Sequence, residues 1–238
     1  MAVRGGRSLY GFPIGVLMLD TVFPRIPGDI GHAGTFPFPV LYQRIRHATP
    51  ARVVREADPG LLEPFVEGAR ALQAAGVLAV AGGCGFLAMF QRQLAEAVSV
   101  PVLTSALLWV PIVARTLAPG RAVGIMTVDS GVLGPRDFAG AGIGEDVPIV
   151  VAGMEKGHAF ARVVVENELE LDVEAARREH AAVARELVER HPEVGAFVLE
   201  CTNMPPYAAA IQEATGRPVY DMAGLIRAAH AALIQRPY

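Results

Sequence analysis

Short apolar runs alternate along this chain with longer segments whose apolar residues recur every three or four positions. The runs Ile14 to Leu19, Val77 to Ala81, Ala122 to Met126, Ile149 to Ala152 and Ala196 to Leu199 show no polar alternation. Strands buried on both faces have that pattern. The clearest helix is Val173 to Arg190, which sets Ala176, Val183, Leu187 and Val188 on one side and spaces Glu174 with Arg178, and Glu186 with Arg190, four apart on the other. Strands alternating with helices predict a parallel α/β architecture. Gly11 to Val40 breaks the rhythm after its strand, because Phe23-Pro24-Arg25-Ile26-Pro27-Gly28-Asp29-Ile30-Gly31 and Thr35-Phe36-Pro37-Phe38-Pro39 cannot form regular structure. A long ordered loop is expected there, of the kind that serves as a lid or a binding loop.

Two uncharged stretches, Ala71 to Gln91 and Ala97 to Ala114, approach the length of a membrane span. Gly76, Gly82, Gly83 and Gly85 interrupt the first and Pro101 and Pro111 the second, so both read as buried strands joined to helices. The N-terminal run, with Arg4 and Arg7 before it, imitates a signal peptide. Pro13 interrupts it and Asp20 ends it without a small-residue cleavage site, which leaves a buried first strand as the expectation.

An internal repeat organises the chain. Gly11-x3-Gly15-x4-Asp20-Thr21 is matched by Gly120-x3-Gly124-x4-Asp129-Ser130, and Val77 and Val194 each precede a cysteine by seven positions. Beyond Cys84 and Cys201 the match runs on through Leu94 and Ile211, Glu96 and Glu213, then Pro101-Val102 and Pro218-Val219. The preceding helices share Ala69-Arg70-Ala71-Leu72 against Ala184-Arg185-Glu186-Leu187. Several matches in one order imply two similar α/β halves. We expect one lobe from residues 1–115 with 216–238 and a second from 116–215. A pseudo-twofold between them brings equivalent strand ends to one cleft, and ligands of open parallel sheets bind beyond the carboxyl ends of the strands.

Composition narrows the function. The 238 residues are 52% apolar and 19% charged with a net charge of −3, enough for a large core and without the basic excess that nucleic acid demands. Lys156 is the only lysine, which excludes the usual phosphate-binding loop signature and a lysine Schiff base at any other position. Gly28-x2-Gly31-x2-Gly34 lies outside any strand-to-helix turn and the six histidines lack metal spacing. Neither a metal nor a cofactor is expected. The two cysteines lie 117 positions apart, so no disulfide framework is expected and a reducing cytoplasm is the default. The expected partner is a small-molecule substrate, without nucleic acid or membrane, and a homo-oligomer is expected.

The cysteines carry the chemistry. Each is expected between a buried strand and a helix start, where unpaired N–H groups lower a thiol pKa and favour the thiolate. A single cysteine after an apolar strand reads as a small core residue. Two that are the only ones in the chain and fall at equivalent places in a duplication do not. Inverting a carbon centre requires a proton removed from one face and another returned to the opposite face, hence two acid/base groups of similar pKa. Donors must meet the negative charge that grows on the substrate oxygens. Backbone N–H groups after each cysteine, with Thr127, Ser130, Thr202 and Asn203, are candidates, although for the hydroxyls helix capping serves as well. Glu200 is a candidate acid/base auxiliary whose side chain should point away from that of Cys201 along a strand.

Ala81-Gly82-Gly83-Cys84 and Leu199-Glu200-Cys201-Thr202-Asn203 resemble the aspartate/glutamate/hydantoin racemase superfamily, whose members do without pyridoxal phosphate. The resemblance extends from the strand before Asp20 to the final helix. It implies two flavodoxin-like parallel-sheet lobes, an active site between them, and Cys84 and Cys201 as a thiol/thiolate pair. It further implies Asp20 as an aid to the first cysteine and Thr21 as a substrate contact. Gly85-Phe86 replaces the family's common Asn-Thr, and neutral Asn203 stands where His or Glu is usual, so the expected substrate is other than aspartate or glutamate. Phe86 and the loop Phe36 to Pro39 suggest a less polar ligand. Arg25, Arg44 and Arg46 are read as solvent-exposed, with contact to an acid as the alternative. The same superfamily holds arylmalonate decarboxylases and maleate isomerases, typical decarboxylases keeping one cysteine. The expected activity is therefore a racemase or epimerase acting on an amino-acid, hydantoin or related carboxylate. The rivals are decarboxylation, cis–trans isomerisation and ligand binding without catalysis.

Overall fold

A computed structural model describes residues 5–235. Its elements in chain order are β1 (Ile14–Met18), β2 (Val40–Arg44), α1 (Leu62–Ala75), β3 (Ala79–Gly82), α2 (Gln91–Ala97), β4 (Val102–Leu103) and α3 (Val110–Thr116), then β5 (Ala122–Thr127), α4 (Pro135–Gly140), β6 (Ile149–Gly153), α5 (Ala161–Glu166), α6 (Val173–Arg190), β7 (Val194–Leu199), α7 (Ala208–Thr215), β8 (Val219–Tyr220) and α8 (Met222–Leu233). The strands form two four-stranded parallel sheets, ordered β2-β1-β3-β4 and β6-β5-β7-β8. The expected α/β class with two similar lobes is what the chain adopts. β1, β3 and β5 are buried along their whole length, as their unbroken apolar runs require.

The repeat extends to hydrogen-bond register. Gly15 stands opposite Leu41 and Val80, and Gly124 opposite Val150 and Phe197. Val80 in turn faces Val102, as Phe197 faces Val219. These are the same pairings carried from one half of the repeat to the other. α6 occupies the expected span, with Asp172 accepting from the Ala175 N–H as its N-cap. Two strands lay outside the sequence expectation: β2 at the end of the proline-rich loop, and the two-residue β8. A strand as short as β8 leaves no period to read.

The loop between β1 and β2 is irregular apart from one short 3-10 turn at Ala33–Thr35. The chain returns to the first lobe later than the Gly216 boundary expected from sequence, because β8 pairs within the second sheet. After it α8 lies against the first lobe. Arg227 donates to the Thr35 carbonyl, the His230 ring stacks on Phe38, and Trp109 Nε1 donates to the Asp221 carbonyl. Ala71 to Gln91 and Ala97 to Ala114 resolve into helix ends, strands β3 and β4, and 3-10 turns. Among the described residues no helix is long and apolar enough to cross a membrane.

Candidate active site

β3 and β7 end at corresponding places, and the chain then turns through Gly83-Cys84-Gly85 in one lobe and Glu200-Cys201-Thr202 in the other. These two turns meet. Thr202 Oγ1 donates to the Gly83 carbonyl at 2.9 Å, and a side chain placed on Gly85 would collide with the carboxyl and carbonyl of Glu200. In the frame of the repeat Gly83 corresponds to Glu200 and Gly85 to Thr202. The two contacts are therefore one contact seen twice, as a pseudo-twofold passing between the cysteines demands. Gly83 is needed for the same reason, since a Cβ there would lie 2.5 Å from the Leu17 carbonyl oxygen.

Both thiols line one narrow, tightly closed cavity, walled by Leu19, Phe23, Pro50, Val54, Phe86, Val128 and Val164, with Arg25, Glu200 and Asn203 as its polar groups. Both cysteines are free, Cys84 partly buried and Cys201 buried. Burial pushes each thiol well above the ordinary range, and the Glu200 carboxyl adds to that. The backbone N–H of Phe86 at Cys84, and of Asn203 at Cys201, pull the other way. This corrects the expectation of thiolates stabilised by helix termini. Cys84 precedes a 3-10 turn, Gly85–Phe90, and Cys201 precedes a bend and the short 3-10 turn Pro205–Tyr207, while α2 and α7 begin only at Gln91 and Ala208. One N–H reaches each sulfur instead of a helix end.

Of the residues singled out from sequence, the structure brings Cys84, Cys201, Gly85, Phe86 and Asn203 to the cavity wall. Asn203 accepts from the Cys201 thiol through Oδ1 at 3.5 Å and donates through Nδ2 to Asp29 at 2.6 Å. Thr127 and Thr202 lie behind the wall, fully buried: Thr127 Oγ1 donates to Glu200 Oε2 at 2.9 Å, and Thr202 ties the turns together. Thr21 Oγ1 accepts from Arg25 at 3.0 Å, so it orients the arginine. Asp20 and Ser130 are turned elsewhere. The Asp20 carboxylate accepts from the His47 N–H at 3.1 Å and lies 3.5 Å from Arg44, and Ser130 Oγ donates to Glu155 at 2.7 Å. Neither lines the thiol cavity.

Three polar residues of the site escaped or contradicted the sequence reading. Arg25, expected in solvent, has a side chain only 14% exposed, held by Asp29 at 2.8 Å and lying over the Phe23 ring. Asp29 is 3% exposed and gathers Arg25, Asn203 and the Gly31 N–H on one carboxylate. The signal available was Arg25 and Asp29 at i,i+4 within a run dense in proline and glycine, but that spacing has meaning only on a helix. Glu200 was expected to point away from Cys201. It stands past the last residue of β7, where strand alternation no longer holds, and its side chain reaches the same cavity. Conversely Phe38 and Pro39 lie apart from the thiols, on a surface groove with Phe12 and His230.

Two parallel α/β lobes related by a pseudo-twofold, each presenting a cysteine past the end of its third strand, define a class of two-lobed proteins with a shared thiol-lined cleft. The chain belongs to the Asp/Glu/hydantoin racemase family, whose model matches residues 54–229. It is 28% identical over 218 residues to a dimethylsulfoniopropionate lyase of Durusdinium sp. clade D, covering 87% of this chain and 70% of that protein. It is 28% identical over 233 residues to dimethylsulfoniopropionate lyase 7 of Emiliania huxleyi, covering 94% and 68%. Among solved structures, unliganded arylmalonate decarboxylase superposes with a TM-score of 0.59 at 18% identity, covering 95% of this chain and 96% of that one. A glutamate racemase from Bacillus anthracis gives 0.58 at 18%, covering 93% and 82%. At such identities the solved structures share the fold.

Proposed function

We propose that this protein is a cofactor-independent enzyme that moves protons at a carbon next to a carboxylate, Cys84 and Cys201 serving the two faces of that carbon as in a racemase or epimerase. The observation that carries the reading is the pair of free thiols at pseudo-twofold-related turns, lining one cavity. Arg25, with Asp29 and Thr21 fixing its guanidinium, is the group to receive the substrate carboxylate. The apolar wall favours a small substrate less polar than aspartate or glutamate. Because burial holds both thiols protonated, ionising one needs a positive charge brought into the cavity. A substrate that carries an ammonium or sulfonium group supplies it, and Arg25 already acts in that direction on Cys84. Free thiols of this kind belong in a reducing compartment, and the cytoplasm is the proposed location.

The test is solvent-deuterium exchange at the carbon next to the carboxyl group across amino acids, hydantoins and substituted malonates. Cys84→Ser and Cys201→Ser should each abolish racemisation by at least about a thousandfold, since serine is a far weaker acid than a thiol. Each should still exchange one enantiomer, with opposite preference. A Cys84→Ser protein that racemises normally overturns the two-thiol reading.

A second reading follows from the curated relatives named as dimethylsulfoniopropionate lyases. A thiolate takes the proton next to the carboxylate, that electron pair becomes the carbon–carbon double bond, and the carbon–sulfur bond breaks with its electrons leaving on a neutral thioether. One thiol suffices for this, and a sulfonium substrate provides the charge that the buried thiols need. Release of dimethyl sulfide from dimethylsulfoniopropionate that survives one cysteine substitution and fails with the other selects elimination over racemisation.

A further inference from the structure

Glu200 has one carboxyl oxygen accounted for and one that is not. Its backbone N–H is tied to the Met126 carbonyl at 2.8 Å and its side chain is fully buried. Oε2 accepts from Thr127, whereas Oε1 has no hydrogen-bond partner. Ionisable groups approach from several elements: Cys84 beyond β3, the neighbouring Cys201, and Asp137 on α4. These three are acids; Arg25 shares the cavity wall but is paired with Asp29, and among the described residues no arginine, lysine or histidine forms an ion pair with Glu200. The carboxyl is confined against the backbone of Gly85, where no side chain fits, and Glu200 is one of the residues lining the cavity that holds both thiols.

An isolated carboxylate in such a place costs several kcal/mol, and a buried group in this position keeps its proton instead. Thr127 leaves that proton a single useful site. Its hydroxyl donates to Oε2, so the acid hydrogen belongs on Oε1, the oxygen left without a partner beside Gly85. We propose that Glu200 is a neutral carboxylic acid that donates a hydrogen bond from Oε1 to the substrate carboxylate oxygen on which negative charge grows when a thiolate takes the adjacent proton. The proposal rests on the carbon-acid reading above and deepens it, making Glu200 a catalytic residue that meets the developing charge.

Two further points support the neutral form. Burial lifts the Glu200 carboxyl to about 8, so it is protonated through the neutral range. An ionised carboxylate here would also oppose a thiolate at both Cys84 and Cys201, whereas a neutral acid leaves them free to ionise. The second lobe thus supplies the donor, and the glycines of the first lobe leave room for it.

Glu200→Gln and Glu200→Leu test this, because glutamine copies the acid form. Its oxygen can accept from Thr127 while its NH2 group donates into the cavity. In infrared difference spectra of wild type against Glu200→Gln, a protonated-carboxyl band is expected at pH 6.5, lost by pH 9.5, and shifted to lower frequency by added propionate. The stability of the folded chain carries the same signature. The acid's folded pKa is raised above its unfolded value of about 4.5, so wild type loses stability as pH rises from about 4.5 through 8, and the Tm advantage of Glu200→Gln widens over that window. Glu200→Gln should keep deuterium exchange within about tenfold of wild type, and Glu200→Leu should lose about a hundredfold while remaining folded. An ionised carboxylate at pH 6.5, a protonated band that no propionate concentration moves, or a Glu200→Gln protein as inactive as Glu200→Leu overturns the proposal. If wild type exchanges no carboxylate while propionate still moves the band, the donor stands and the carbon-acid reading fails.

Discussion

The two lobes solve one packing problem with different chemistry. In the first, Phe65 on α1 packs against Phe90 with ring centroids 6.4 Å apart. At the corresponding places in the second, His180 on α6 stacks on Tyr207 at 4.3 Å, with the Phe160 ring edge-on to both. The first pair is purely apolar. The second buries a histidine whose Nδ1 is 2.7 Å from the Ala176 carbonyl, and leaves His180 Nε2 and the Tyr207 hydroxyl without partners. The same division recurs at the cleft, where Gly83, Gly85 and Phe86 in the first lobe correspond to Glu200, Thr202 and Asn203 in the second. Duplication preserved the backbone register of the two halves and let their polarity diverge, one side becoming space and apolar wall, the other hydrogen-bonding groups.

The connection carrying Arg25 and Asp29 is irregular where its counterpart between β5 and β6 holds α4, and breaking it should have the largest effect. Asp29→Ala strands a buried guanidinium, and losing one partner of a buried pair costs about 3–5 kcal/mol. Thermal melting should report it together with a raised KM for the carboxylate substrate.

Acid sensitivity from a buried histidine comes next, and that histidine lies in the second lobe. Burial lowers the His180 pKa to about 4 from its ordinary 6.5, so the unfolded chain binds a proton between these values that the folded chain does not. Stability therefore falls as pH drops from about 6.5 to 4, by on the order of 3 kcal/mol. Copying the first lobe with His180→Phe and Tyr207→Phe should flatten that limb and raise stability at neutral pH by about 1–2 kcal/mol, because two unpartnered polar atoms leave the core. Urea midpoints measured from pH 4 to 7 check both.

Smaller effects are expected at the cleft. Gly85→Ala forces a methyl group against the Glu200 carboxyl and carbonyl, an overpacking that costs about 1–3 kcal/mol. It should lower turnover more than Tm suggests, since it displaces the site itself. Thr202→Val removes only the bond to the Gly83 carbonyl, at about 1 kcal/mol. Equal losses from these two would count against the polarity split, and a sharper loss at Gly85 supports it.

How much of this was legible depends on whether the information was local. Parallel strands covered on both faces are unbroken apolar runs, fully buried in β1, β3 and β5 and half-buried along β6, so five of the eight strands and the long helix α6 could be read directly from the chain. The repeat went further, since matched positions in two halves imply matched registers, and the cysteines were found because they alone occupy equivalent places in it. β4 and β8 are two residues long and carry no period. The polar half of the site was hidden for a different reason. Arg25 and Asp29 sit in irregular chain, Asn203 reaches Asp29 across 174 positions, and Thr127 meets Glu200 across 73. Desolvation of the thiols and of Glu200 depends on what closes over them, and no stretch of sequence states that. The sequence by itself determined two α/β halves with a thiol at the same point in each. Only the tertiary structure decided which charged groups are taken out of water with those thiols, because burial is a property of elements brought together from distant parts of the chain.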